Sequence, residues 1–482
     1  MDATQIKSLR PKLTKFLRRF EHCFLRSDTR GHLPIYIEGQ LSDLPRKNCE
    51  PIADAADMPP RTLQQFLSLL AWDHALMKTE LQQLVATDFV SPHSIGIIDE
   101  TASPKKGEKT PGVQRQWCGA TGKKDNCTVT VHLAYAADDF HCLLDSELFL
   151  PESWSNDRPR CRKAKIPDTM VHRPKTQIAL ELYDRAKSHG VHFQWLTFDE
   201  GYGKSPGFLR MLGERQQKFV AEVPVTFTGW IRPPRVTTRR RSRRGRAGKT
   251  PRLVAGSRPF KAVREHLKSS PELRDQAWQR FRVKDGEKGP MVWEAKHTPF
   301  HPRGEDHLPM SPMHLIVARN VLEPNVLKFF IADAPPETPL QVLLHVAFSR
   351  WRVERCFEDQ KTELGFDHFE GRSYVGLIRH QTITALTHLF LSGVHQEWRK
   401  KKSGPDGLPS SHDGVGRDSI LVHESHRGQQ IAPAHGGTDR RKAGSQRAFA
   451  SQPPQANPAK TSPPRRHRQH PTPLRLEGKL AL

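Results

Sequence analysis

Three residues near position 350 have the types and spacing for phosphate and metal chemistry. In SRWRVERCFEDQKTELGF (349–366), Arg350 and Glu354 are four apart, and Glu354 and Lys361 seven apart. The stretch is rich in helix formers and holds no Gly or Pro before Gly365. It therefore reads as a helix with all three side chains on one face. Phe348, Trp351 and Phe357 on the neighbouring face would hold it against a core. A carboxylate flanked by two cations can bind a metal ion while the cations contact phosphate. The same spacing also suits a solvated helix laced by i,i+4 ion pairs. Two further acids end apolar runs that read as buried strands: Asp99 in SIGIIDE (94–100) and Asp199 in HFQWLTFDEGYG (192–203). Three carboxylates gathered in a partly buried site repel one another. A pair of hard divalent cations resolves this, because Mg²⁺ prefers carboxylate and water oxygens. Two such ions support in-line phosphoryl transfer.

The elements that must position these residues follow from pattern. Residues 1–90 read as helical, with a basic, apolar-periodic segment at 13–24. CEPIADAADMPPRTLQQFLSLL looks like helix, turn, helix, with Pro59 and Pro60 where the second helix begins. Arg61, Thr62, Gln64 and Gln65 would line its exposed N-terminal face, as on a recognition helix in a DNA groove. A plain helical hairpin is the alternative. Residues 91–224 read as an α/β unit: strands at 94–100, 126–140 and 141–151, a helix at 175–189, a strand at 192–203, a helix at 205–215 and a strand at 218–224. Three strands followed by alternating helix and strand predict a mixed sheet with helices packed on it. In such a sheet the first and fourth of these strands can be neighbours, which brings Asp99 and Asp199 together. Residues 225–340 read as a β-rich basic insertion, with QRFRVKD, GPMVWEAKH, HLIVARN and VLKFFIAD as strands. The tract RRRSRRGRAGK (239–249) is expected to be a mobile loop suited to phosphate contact. Residues 341–398 return to helix. Residues 399–482, rich in Pro, Ser, Gly, His and Arg, predict a disordered basic tail, and a shifted reading frame is one origin for such a tail.

The 482 residues carry a formal net charge of +24 and a pI of about 9.9, which points to a polyanionic partner, foremost nucleic acid. No apolar run is long enough to cross a bilayer and the N-terminus lacks a signal-peptide core, so the expected location is cytoplasmic and nucleoid-associated, with no membrane partner. The seven cysteines contain no CxxC pair, and Cys118, Cys127, His132 and His141 match no standard zinc spacing.

Three blocks carry a family resemblance: GIIDETASPKKGEKTPGVQRQWCGATGKKDNC, LTFDEGYGKSPGFL and FSRWRVERCFEDQKTELGFDHFE. Across residues 30–395 the chain resembles bacterial insertion-sequence transposases of the DDE class, whose catalytic domain is ribonuclease-H-like. The third block resembles the signature Y-x2-R-x3-E-x6-K. Arg350, Glu354 and Lys361 match its last three positions, and Ala347 stands where the family has Tyr, which weakens carry-over of that one DNA contact. The resemblance implies that Asp99, Asp199 and Glu354 bind two Mg²⁺ ions, with Mn²⁺ able to substitute. It implies that Arg350 and Lys361 contact phosphate near the cleaved end. Glu100 and Glu200 follow the two Asp residues and would replace them only if the strand register slipped by one. Lys105 and Lys106, in a Gly/Pro loop after Asp99, would track the DNA backbone or form a solvated turn. Trp293 in MVWEAK is the candidate for stacking on a flipped base, with core packing as the alternative. The expected function is a DNA transposase that binds terminal inverted repeats, cleaves and joins the 3′-hydroxyl to target DNA as a dimer or larger synaptic assembly. The rivals are a catalytically inactive, transposase-derived DNA-binding protein and an endonuclease without strand transfer.

Overall fold

Strand β1 (Ile95–Pro104) lies inside the sheet with a strand on each edge, and its apolar IGII run is buried on both faces. On one edge it pairs antiparallel with β3 (Lys123–Ala137), with Ile98 opposite Leu133. On the other it pairs in parallel with β5 (Trp195–Phe198), with Ile98 beside Phe198. The short β2 (Gln114–Cys118), which the sequence did not reveal, forms a hairpin with the start of β3. Beyond β3 lies antiparallel β4 (Phe140–Leu148); beyond β5 lies parallel β6 (Phe219–Val223). The order β4-β3-β1-β5-β6, antiparallel then parallel, is the expected ribonuclease-H-like mixed sheet. The computed structural model describes residues 3–238, 250–286 and 289–402. The arginine tract at 239–249 and the span from 403 onward, with the expectations attached to them, lie outside the described residues.

The insertion does not fold apart from this sheet. After β7 (Thr228–Trp230), the two-stranded pair β8 (Val236–Thr237) and β9 (Arg252–Leu253), and β10 (Lys261–Ala262), it supplies β11 (Gln279–Gly286), β12 (Gly289–Pro302), β13 (Met313–Asn320) and β14 (Leu327–Asp333). β14 pairs antiparallel with β6, Phe329 opposite Val223, so the sheet continues through β13 and β12 into the insertion. Apolar Phe329–Ala332 and Leu315–Ala318 are buried along this extension, which explains why the continuation is favourable.

Helices cover the sheet. The N-terminal set is α1 (Ala3–Leu17), a 3₁₀ turn at Arg18–Cys23, α2 (Ser27–Leu41), α3 (Cys49–Ala55), α4 (Pro60–Ser68) and α5 (His74–Asp88). As expected, Pro59 and Pro60 start α4. After β4 come α6 (Glu152–Ser155), α7 (Arg158–Lys163) and α8 (Lys175–Ser188). After β5 come α9 (Glu200–Gly203) and α10 (Pro206–Glu214); within the insertion lie α11 (Val263–Ser269) and α12 (Pro271–Arg274). The chain closes with α13 (Leu340–Phe348), α14 (Trp351–Thr362) and α15 (Tyr374–Lys402), so helix continues past Arg399, where the sequence reads as tail.

Buried polar contacts tie these layers together. Asp145 on β4, fully buried, accepts from Lys78 of α5 at 2.8 Å and Arg185 of α8 at 2.6 Å. Those two cations, together with their hydrogen bonds, hold its carboxyl below the usual range although burial opposes this. Arg379 of α15 donates to the carbonyls of Phe66, Leu67, Leu70 and Trp72, at the C-terminal end of α4 and in the turn that follows it. Tyr36 bonds His380, and Gln40 bonds Thr384 and Thr387, in the same interface. The helices before residue 90 are thus anchored to the last helix of the fold.

Candidate active site

The register of two parallel strands creates the site. Ile98 and Phe198 are the last pair of the parallel ladder, so Asp99 and Asp199 follow it side by side; β1 itself does not end in acids, as its sequence suggested, but runs on to Pro104, with Asp99 at mid-strand opposite His132 of β3. β5 stops earlier than the sequence pattern suggests: Asp199 is no longer strand but the cap of α9, accepting from the Gly201 N–H at 3.0 Å. The turn brings Gly203 against β6, where a Cβ would sit 2.0 Å from the Glu222 carbonyl oxygen, so only glycine fits. Asp99 and Glu100 take partners from different layers. Asp99 accepts from Arg350 of the closing helices, while Glu100 accepts from Lys175 of α8 at 2.6 Å. The observed register therefore groups Asp99, not Glu100, with the Arg350–Glu354 segment.

That segment is helical as expected, though over Trp351–Thr362 and not the whole of 349–366, and a turn separates it from the helix before it. α13 ends at Phe348, Ser349 turns back to bond the His345 carbonyl, and Arg350 caps α14. Gly365, at φ +70°, lies beyond its end in the left-handed region that glycine favours. Phe357 is buried as expected, but Trp351 is 40% exposed and does not anchor the helix in the core. Arg350 sits between carboxylates, with Nη1 3.0 Å from Asp99 Oδ2 and Nη2 2.6 Å from Glu354 Oε1. The charges of Asp99, Glu354, Glu222 and Asp199 hold the guanidinium pKa up although burial opposes them. Burial pushes the Asp99 carboxyl up to about 7; Arg350 pulls it down and Asp199 pushes it further up. Asp99 and Glu354 thus contact one arginine cation, with Glu222 and Asp199 acting on it by charge, and burial leaves Asp99 inclined to hold a proton. An all-oxygen donor set of this kind fits hard divalent cations.

The Tyr202 hydroxyl, to which the sequence assigned no role, is buried beside this group with no hydrogen-bond partner. Burial and then the charges of Glu100, Asp99 and Asp199 drive its pKa well up, so it stays protonated. Its signal in the sequence was its place three residues after Asp199, one turn along a helix.

The other candidates are distributed as follows. Lys361 of α14 reaches β1 and donates to Thr101 Oγ1 at 2.6 Å, and burial lowers its pKa. Lys105 donates to the carbonyls of Asp367 and Phe369, at 3.1 and 2.7 Å. Lys106 is exposed. Both line a cleft of about 1930 Å³ that starts at Pro104, the last residue of β1. Lys109, Arg115, Arg160 and Lys163 also line it, and its basic side chains outnumber its acidic ones. Arg61 is exposed in the first turn of α4, away from the carboxylates in sequence and element. Trp293 on β12 is only 6% exposed and packs 4.8 Å from the Phe348 ring, so core packing is the reading its position supports. Among the described residues no helix is long and apolar enough to cross a membrane.

Comparison with known proteins agrees with this geometry. Residues 19–290, more than half of the chain, match the family model described as DDE superfamily endonuclease. The match contains Asp99 and Asp199 and ends before Arg350, Glu354 and Lys361. Over 189 residues the chain is 30% identical to a protein of Microchaete diplosiphon described as a probable transposase for insertion sequence element IS701. That alignment spans 38% of this chain and 46% of the relative, so the chain matches about half of that relative's length. A cryo-EM structure of a piggyBac transposase synaptic complex with hairpin DNA aligns over 80% of this chain and 77% of its own, at 12% identity and a TM-score of 0.34, too low to carry an argument. With more than half its length matched, the chain belongs to the DDE superfamily endonuclease family.

Proposed function

We propose that this chain is an insertion-sequence DNA transposase in which Asp99, Asp199 and Glu354 are the catalytic carboxylates. The observation that carries the reading is the Arg350 guanidinium bridging Asp99 and Glu354 beside Asp199. A single cation already gathers side chains separated by 255 residues of sequence. Mg²⁺, or Mn²⁺ in its place, would be held by the three carboxylates and would supply polarisation of the attacking water or hydroxyl and neutralisation of the leaving oxygen. Arg350, released from its carboxylates when they take up metal, then has its guanidinium free for a phosphate, which it binds in a forked geometry. Lys361 braces α14 on β1 and presents its remaining N–H donors at the same edge. Lys105, Lys106 and the basic cleft carry the flanking duplex by phosphate contact. Arg61 and its neighbours on α4 read the terminal inverted repeat, and two DNA ends require a dimer or a larger assembly.

The test is cleavage of a labelled duplex bearing the native element end, with Mg²⁺ or with EDTA, beside Glu354→Gln. We expect Mg²⁺-dependent cutting at the end by the wild type, a joined product when target DNA is added, and DNA binding without cutting by the variant. Equal binding with cutting by neither protein would establish the catalytically inactive, DNA-binding alternative. Cutting without joining would establish a simple endonuclease.

A further inference from the structure

A second group of metal-ligating side chains lies away from the carboxylates. His141 on β4, Asp359 on α14 and His388 on α15 point their ligand atoms at one another, all within 4.8 Å. His141 Nε2 is 3.6 Å and His388 Nε2 4.0 Å from the same oxygen, Asp359 Oδ2. These separations are too long for hydrogen bonds. They are close to those of ligands sharing one ion: bonds of about 2.0–2.2 Å at tetrahedral angles put ligand atoms about 3.4 Å apart. Small side-chain rotations close the difference.

The surroundings hold the ligands as metal sites do. The far nitrogen of His388, Nδ1, lies 3.9 Å from Cys356 Sγ, which fixes the ring's orientation. The second oxygen of Asp359 accepts from Arg355 Nε at 2.9 Å, leaving Oδ2 for the ion. His388 is buried, and His141 and Asp359 are half-buried. Two imidazoles and one carboxylate suit zinc and its borderline neighbours, whereas Mg²⁺ prefers an all-oxygen shell. Asp359 follows Glu354 by five residues, about 140° around the helix, so the two acids face different sides of α14.

We propose that His141, Asp359 and His388 form a structural site for a zinc-class divalent ion, distinct from the carboxylate site, which pins α14 to β4 and α15. Its consequence is mechanical: the helix carrying Glu354 and Lys361 is clamped from behind. The proposal stands on residues other than those of the proposed catalytic reading, so either can fail alone.

The experiment uses the full chain, stripped with chelator and reloaded with Co²⁺ as the spectroscopic probe or with Zn²⁺. Wild type and Asp99→Asn are both expected to show the intense visible absorption of one four-coordinate Co²⁺, against which Co²⁺ in an all-oxygen carboxylate site absorbs only weakly. His141→Gln and Asp359→Asn are expected to lose that absorption and at least tenfold in affinity. Zn²⁺ should slow amide hydrogen exchange in α14 of the wild type and not of His141→Gln. Matching far-ultraviolet circular dichroism of the stripped proteins checks that the variants fold. A wild type without the Co²⁺ spectrum would overturn the proposal and leave an ion-pair cluster of Asp359 with its histidines. So would metal retained by His141→Gln, or lost equally in Asp99→Asn.

Discussion

Replacing Asp99 by Asn should stabilise the metal-free protein while removing cleavage. Burial raises this carboxyl from 3.8 to about 7. The folded form therefore retains a proton that the unfolded chain releases, so stability falls as pH rises between these two values. The contribution of protonated Asp99 is complete below about pH 3.8 and gone once pH has passed through about 7. At about 1.4 kcal/mol per pH unit, the wild type loses about 1.5 kcal/mol to this group at pH 5 and about 4 kcal/mol at pH 8. Asparagine cannot ionise and escapes the loss, and Arg350 keeps Glu354 as a partner at 2.6 Å. In EDTA, Asp99→Asn should denature at higher urea than the wild type, by a gap that widens by about 2–3 kcal/mol from pH 5 to pH 8. Mg²⁺ should narrow the gap by stabilising only the wild type. A gap that is absent, or equal at both pH values, would refute the idea that burial leaves Asp99 inclined to hold a proton. Equal stabilisation of both proteins by Mg²⁺ would remove it from the metal site.

Three further outcomes follow from the geometry. Asp145→Ala leaves Lys78 and Arg185 without their shared buried partner and should cost about 3–5 kcal/mol in equilibrium denaturation; because this carboxyl is held low, the stability it supplies is present above about pH 4 and lost as pH falls further. Trp293→Ala should destabilise by about 3–5 kcal/mol, as for a large buried aromatic, whereas a base-stacking role predicts unchanged denaturation and a defect confined to DNA processing. Lys106→Ala should weaken DNA binding uniformly across sequences and lower the salt dependence of log K by about one unit of slope; an unchanged slope would take Lys106 off the DNA.

Much of this protein was legible in its residues. Asp99 and Asp199 stood out because each ends an apolar run in acids, a local pattern that reads as a strand terminus, although β1 runs on to Pro104. Arg350, Glu354 and Lys361 stood out because helical spacing is also local. The strand set and its antiparallel-then-parallel order followed from period and from the placement of helices between strands, since a parallel pair requires a crossover. Sequence also marked β11 to β14 as strands. It was silent on the continuation of the sheet from β6 into β14, because pairing between distant strands depends on which edges remain open after the core has assembled.

What only tertiary structure decided concerns partners rather than elements. Helical spacing made Lys361 a phosphate contact, and folding gave it Thr101. Its Gly/Pro loop left Lys105 open between tracking the DNA backbone and a solvated turn, and folding set it against two carbonyls. Trp293 was a candidate for stacking on a base, with core packing the favoured alternative, and β12 packs it on Phe348. Tyr202 offered only its place one turn after Asp199, and the group of His141, Asp359 and His388 carried no signal in spacing, because its chemistry arises only when separate elements meet. Sequence determined which residue types were available and which local element would carry each. Burial, charge and neighbours in three dimensions determined what each could do, because a side chain's pKa and its free donors are properties of its surroundings and not of its place in the chain.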